Sequence, residues 1–304
     1  MANTLSTKTL RDKYRQASLD KLLRRALIAE AICEVDRGDA KTIQNPYGSQ
    51  PTVTVQALAG TYSVATFTTT DDTLTVAYEV IVAEHIFDFE KVLSRFDLFA
   101  NRVDEQSFAV AAAIDKYVLN VLVANAGEAY TAPAGGFSTA ANLPTIVSNV
   151  LAKVAGYSEM YKGTYLVLES DDLPGVIAQM AGSGFSFADA ALRNGFIQSY
   201  MGVDLYVTRP GTFFTGTIGE AFTNEGKRLF GVKKTTTFAS PRGIRFEEKG
   251  VTGKTGVEVV TFGYIGAKVW AAKDDLTVAI TNAGASQSAS TSLSPSLSPS
   301  VSPS

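Results

Sequence analysis

Residues 89–126 contain neither glycine nor proline: FEKVLSRFDLFANRVDEQSFAVAAAIDKYVLNVLVANA. Within this run Phe96, Ala100, Val103, Ser107, Val110, Ile114, Tyr117 and Val121 recur at alternating spacings of four and three. That spacing is one face of an α-helix. At 1.5 Å per residue it predicts a helix about 40–50 Å long, where the mean globular helix has about 11 residues. Its first half carries charge on the other faces, at Asp97, Arg102, Asp104 and Glu105. Its second half is apolar nearly all round, with Val118, Leu119, Leu122 and Val123, so that end is expected to be buried. Ala111, Ala112 and Ala113 would let a sheet approach closely, and Gly127 supplies the stop signal. Val110, Ile114 and Val121 are the expected core of the stripe.

A helix of this length needs other elements to lie on, and the flanking sequence supplies strands. Residues 1–48 read as a basic arm, with seven Lys/Arg and two Asp between Lys8 and Arg25. Ser18 can cap a helix running to about Arg37, with Gly38 as its stop. The arm has two open readings: a solvated face on a packed helix, or a segment whose Arg24 and Arg25 dock on a neighbouring subunit or face an enclosed polyanion. NPYGSQP ends it. Residues 49–88 then alternate roughly by two and are rich in Thr and Val, which predicts a long hairpin or meander with Asp71-Asp72 at a turn. Such a hairpin is marginal alone in water and needs a surface to lie on.

After the long helix, residues 139–235 read as a compact α/β unit. LPTIVSNVLAKV is an amphipathic helix, TYLVLE a buried strand, and SDDLPGVIAQM a second helix with Ser170 or Asp171 as its cap. GVDLYVT and FFTGTIG are further strands. Residues 236–283 alternate apolar and polar as a run of antiparallel strands, with Gly250, Gly253 and Gly256 at turns. Residues 284–304 are low complexity, with serine at every second position from Ser286 and a repeating [Leu/Val]-Ser-Pro-Ser unit that cannot build a core.

The chemistry available to this chain is narrow. Of its 304 residues one is cysteine and one histidine, Cys33 and His85. That excludes an internal disulfide framework and a Cys/His zinc site, and leaves His85 as the single base for a triad. Gly253-Lys254-Thr255 lacks the glycine and the following helix of a phosphate loop. Asp171-Asp172 and Asp274-Asp275 sit where caps and turns are expected, and Cys33 reads as a small buried hydrophobe. The expectation is a chain with no catalysis, no cofactor and no metal. With 27 Lys+Arg against 30 Asp+Glu, it is not built to grip nucleic acid over its whole surface. The amino terminus has no targeting pattern, and Asp115 and Lys116 interrupt the longest apolar run, so a soluble chain with no membrane partner, made in the cytoplasm, is expected.

The order of basic arm, two-stranded excursion, very long helix, α/β unit and antiparallel strands resembles the major capsid protein of tailed bacteriophages, with the Hong Kong 97 capsid fold. AAAIDKYVLNVL is similar to the Ala-rich, Asp-containing second half of spine helices in that family. The resemblance implies an α+β fold: N-terminal arm (1–48), extended β-hairpin loop (49–88), peripheral domain with the spine helix (89–138), axial α/β domain (139–235), returning peripheral antiparallel strands (236–283) and a Ser/Pro-rich tail (284–304). It implies self-assembly through pentamers and hexamers into an icosahedral virion shell around double-stranded DNA, read without sequence specificity. A separate scaffolding protein, a portal and a decoration protein are the implied partners, and an encapsulin-like nanocompartment shell is the alternative. Asp71, Asp72, Arg24 and Arg25 are the implied candidates for contact between subunits. Some relatives lock their shells with an isopeptide bond from a lysine of the extended loop, and residues 51–90 contain no lysine.

Overall fold

The computed structural model describes residues 27–48, 69–86, 98–182, 196–241, 243–250 and 257–282. At the end of the arm lies a short helix, α1 (Ile28–Ile32), followed at once by strand β1 (Glu34–Asp36). The helix expected to reach Arg37 therefore stops at Ile32. Cys33 is already extended, and Cys33 and Val35 then alternate into the core while Glu34 points out. β1 pairs in parallel with β12 (Thr236–Ala239), a pairing that competes successfully with continuing the helix.

The two-stranded excursion is formed by β2 (Thr42–Gly48) and β3 (Thr69–Thr75), antiparallel, with Thr42 opposite Thr75 and Gly48 opposite Thr69. The expectation that Asp71-Asp72 marks a turn is thereby corrected. Both lie inside β3, opposite Pro46 and Asn45, and the chain between the strands (49–68) lies outside the described residues. Proline is tolerated there because a two-stranded ribbon has open edges on which its missing N–H is not needed. The hairpin also begins before position 49 and ends before 88. The next strand, β4 (Tyr78–Ile86), leaves it and pairs along its whole length with β14 (Val257–Val269).

The long helix is α2 (Leu98–Ala124). Ser107, Val110, Ile114, Tyr117 and Val121 are all buried, Val110 and Ile114 completely. α2 packs across a five-stranded sheet in which β14 is the hub. β14 pairs with β4 over 257–265, with β13 (Arg245–Gly250) over 257–262 and with β12 over 266–269. Val257, Val259, Ile265, Phe246, Tyr78, Val80 and Val82 form one face of this sheet and share a core with α2. The Thr261 hydroxyl donates to Gln106 Oε1 at 2.9 Å inside that contact. By length and composition Glu105–Ala124 could cross a membrane, the Asp115-Lys116 interruption notwithstanding. In this fold most of its apolar surface from Val110 onward is instead packed against two sheets, and Phe108 is left exposed.

The second sheet is six-stranded and mixed, in the order β5 (Glu128–Thr131), β15 (Thr277–Thr281), β11 (Lys227–Val232), β6 (Thr164–Glu169), β8 (Val203–Thr208), β7 (Phe196–Tyr200). Helices α3 (Asn142–Val154) and α4 (Leu173–Gly182) cover one face, where Leu166, Leu168, Leu205, Phe230, Val278 and Ile280 point. Tyr165, Val167, Tyr206 and Leu229 point the other way, onto the end of α2. This double burial is why TYLVLE reads as a continuous apolar run. β5 and β15 belong to this sheet, although the sequence grouped them with the long helix and the peripheral strands. A hairpin of β9 (Thr215–Ile218) and β10 (Glu220–Thr223) lies beside α2, with the Tyr117 ring edge-on to Phe222. β7 and β8 are joined by Met201 and Gly202, both at positive φ (52° and 80°), as a two-residue antiparallel turn requires.

Candidate subunit-interaction surfaces

The described residues contain no group of three His, Cys, Asp or Glu side chains placed to hold a metal. Asp274-Asp275 caps itself, with the Asp275 amide donating to Asp274 Oδ1, and the Gly253-Lys254-Thr255 stretch lies outside the described residues. Cys33 is buried, takes a hydrogen bond from the Thr236 hydroxyl, and has its thiol pushed up to about 12 by burial. Three polar anchors among the described residues tie distant elements together.

The first anchor is in the six-stranded sheet. Arg228, 2% exposed, donates through Nε to Asp172 Oδ2 and holds Glu169 Oε2 at 3.0 Å. Asn282 Nδ2 donates to Asp172 Oδ1 at 3.0 Å, while Asn282 Oδ1 accepts from the Phe137 amide. Gly136 lies at φ +48° and any side chain there would overlap Asn282, so the glycine is required for this contact. Burial holds the Glu169 carboxyl above its usual range, opposed by Arg228 and by the Phe213 amide that donates to it. Asp172, read from sequence as a local cap, does accept from the Glu169 amide, but its main partner is 56 residues away.

The second anchor ties the arm to the long helix. The Asp115 carboxylate, on α2, accepts from the amides of Ile28 and Ala29 at 3.0 and 2.9 Å. The third fixes the base of the hairpin. Asp72 pairs with Lys268 of β14 and accepts from the Ala271 amide at 3.0 Å, while Lys268 also donates to the Thr73 carbonyl at 2.6 Å. Burial alone would raise the Asp72 carboxyl; the Lys268 and Ala271 hydrogen bonds outweigh it and hold the group below the usual carboxylate range. Asp72 is thus committed within its own chain. Asp71, its neighbour on the opposite face, is exposed. Arg24 and Arg25 lie outside the described residues.

The surface that sequence reasoning missed is the outer face of the α2-bearing sheet. Ile81 lies opposite Phe262 and Ala83 opposite Val260, with Tyr264 next on β14. Ile81 is 58% exposed and Tyr264 46%. Charges flank this strip: Glu79 opposite Tyr264, Arg245 opposite Phe262, Glu247 opposite Val260. At its lower end a groove of about 610 Å³ opens at the foot of the hairpin, between Asp39, Lys41, Val76, Tyr78 and Tyr264. The signal was present in VEVVTFGYIG: both phases of the alternation carry large apolar residues, so neither face of that strand is simply a solvent face. An apolar strip rimmed by charge is the composition of a protein interface.

No protein-family model matches the sequence, and no curated protein sequence matches it. Solved structures do. The capsid of the cyanophage P-SCSP1u matches with a TM-score of 0.66 at 11% identity, over 86% of this chain and 88% of that chain. The mature capsid of bacteriophage PhiM1 matches with a TM-score of 0.59 at 10% identity, over 82% and 84%. A virus-like particle from Pyrococcus furiosus matches with a TM-score of 0.58 at 9% identity, over 89% and 99%. The chain therefore has the fold seen in phage capsid structures.

Proposed function

We propose that this chain is the major capsid protein of a tailed phage, assembling through hexamers and pentamers into the icosahedral head shell that encloses double-stranded DNA. The carrying observation is the capsid fold over more than four-fifths of the chain. A two-stranded hairpin with little core of its own and an exposed apolar sheet face support it. Both features are poor in a lone subunit and reasonable in a closed assembly, where each copy covers its neighbour. In this reading the hairpin of one copy lies on the Ile81–Phe262–Tyr264 face of the next, and the exposed Asp71 meets the rim cation Arg245. The role is structural, and the slightly acidic chain would not bind the DNA it encloses along its whole wall. Scaffolding, portal and decoration proteins are the partners this role calls for.

The test is electron microscopy and sedimentation of the full chain, alone and with Ile81→Glu. Wild type should give shells or ring-shaped precursors, and the variant should stay folded and unassembled. A wild-type monomer at every concentration and at low salt would sink the proposal. The virus-like particle match supports a second reading, a shell around protein cargo. Purified particles that carry an enzyme and no DNA would favour it.

A further inference from the structure

Independently of the shell reading, we infer that one water molecule is built into the junction between the long helix and the six-stranded sheet, held by the hydroxyls of Tyr165 and Thr277 over Gly231. The three residues form one row of the sheet. Gly231 of β11 lies opposite Tyr165 of β6 on one side and opposite Thr277 of β15 on the other. Residues directly opposite one another point to the same face of a sheet, and on this face Tyr165 shares the core of α2. Tyr165 and Thr277 are both fully buried.

Gly231 shapes the site. Its φ lies outside the left-handed region, so backbone conformation alone does not call for glycine there. Space does: a Cβ at 231 would fall 2.8 Å from the Tyr165 hydroxyl oxygen and 2.9 Å from Cζ. The Tyr165 ring therefore lies across β11, with its hydroxyl above Gly231. The strand that carries Thr277 is one spacing further on, about 4.7–4.9 Å. That exceeds a direct O–H···O bond of about 2.5–3.0 Å and matches two such bonds meeting at a shared oxygen.

Neither hydroxyl has a partner within the protein. Each has a proton to donate and lone pairs that can accept, and a buried hydroxyl left in that condition is costly. Burial holds the Tyr165 phenol well above its usual range, with the Cys33 thiol adding to the shift, so the phenol keeps its proton to donate. The neighbouring row on this face is Val167, Leu229 and Ala279, which offers no side-chain partner. Beside β15 the end of α2 is closed down, with the Gly127 amide donating to the Asp274 carbonyl at 3.1 Å. A buried water takes two to four polar partners and serves groups that are otherwise unsatisfied. Two hydroxyls facing one gap in apolar surroundings meet that requirement.

The experiment is a double-mutant cycle in full-length, unassembled subunits: wild type, Tyr165→Phe, Thr277→Val and the double variant, each unfolded in urea. Each single variant strands the other hydroxyl and should lower the folding equilibrium constant about five- to a hundredfold. The double variant removes both polar groups in nearly the same shape, so its loss should be smaller than the two single losses multiplied. Losses that simply multiply, or a gain in stability from either single variant, would overturn the inference, because the hydroxyls would then share nothing. A direct pair of hydroxyls would give the same coupling, so a density map of the wild-type chain at a resolution that shows ordered waters separates the two. The expected result is one oxygen peak within about 3 Å of both Tyr165 Oη and Thr277 Oγ1. Hydroxyls in direct contact, or no peak between them, would be equally fatal. Should a variant fail to fold, the map alone decides.

Discussion

Replacing Arg228 by Met keeps the length and most of the volume of the side chain and removes its charge. In the folded protein that leaves Asp172 and Glu169 facing each other in a space where Arg228 was 2% exposed. Breaking a buried ion pair by deleting one partner costs about 3–5 kcal/mol, because the remaining charge stays uncompensated. The packing of the guanidinium carbon 5.9 Å from the Phe213 ring centre is lost as well. At about 2–4 °C per kcal/mol the midpoint of thermal unfolding of unassembled subunits should fall by roughly 6–20 °C. The loss should depend on pH in a definite direction. Burial already holds Glu169 above its usual range, and Arg228 is the charge opposing that shift. Without Arg228 the shift grows, and a carboxyl raised in the folded state contributes stability at low pH that disappears as pH rises through its folded value. The deficit of Arg228→Met should therefore be larger at pH 8 than at pH 5. Converting the carboxylates too, as Arg228→Met/Asp172→Asn/Glu169→Gln, should recover much of it and remove the pH dependence. Urea titrations at the two pH values measure all of this. A loss under about 1 kcal/mol, or one equal at both pH values, would refute the reasoning that this cluster is held by its charge balance.

Ile114→Asp places an unpaired carboxylate at a fully buried point of α2, costs several kcal/mol and should abolish soluble, assembly-competent subunits; normal shells from it would show the stripe is misassigned. Ile114→Val should cost only about 0.5–1.5 kcal/mol in the same unfolding assay. Truncation at Ala283 removes a tail without charge and with little apolar surface, and particle counts by electron microscopy should be unchanged; their loss would make the tail a clasp. Because residues 51–90 contain no lysine and Cys33 is alone, particles boiled in detergent should run as one band near monomer mass, and a ladder of covalent oligomers would contradict this.

Local pattern was enough for the long helix. Its stripe repeats within every seven residues, so the sequence by itself determined that 98–124 is helical and that Val110, Ile114 and Val121 are buried, while the expected start near residue 89 lies outside the described residues. The same holds for TYLVLE, LPTIVSNVLAKV and the alternating strands, whose period is set by backbone geometry alone. Partner choice is a different matter. Nothing within β5 or β15 says which sheet it joins: β15 is set between β11 and β5, and β5 at the edge, only once the packed helices leave that side of β11 open. Asp72 had the composition of a turn and became a strand residue because Lys268, 196 positions on, was there to receive it. Asp115 looked like an interruption of an apolar run, and only the folded chain brings the Ile28 amide, 87 residues away in sequence, to its carboxyl. Arg228 and Asp172 likewise meet only once β11 and β6 lie side by side. Secondary structure follows from side chains a few positions apart, so it can be read along the chain. Charge pairing and sheet membership depend on which distant surfaces share a core, and the tertiary structure alone decided them.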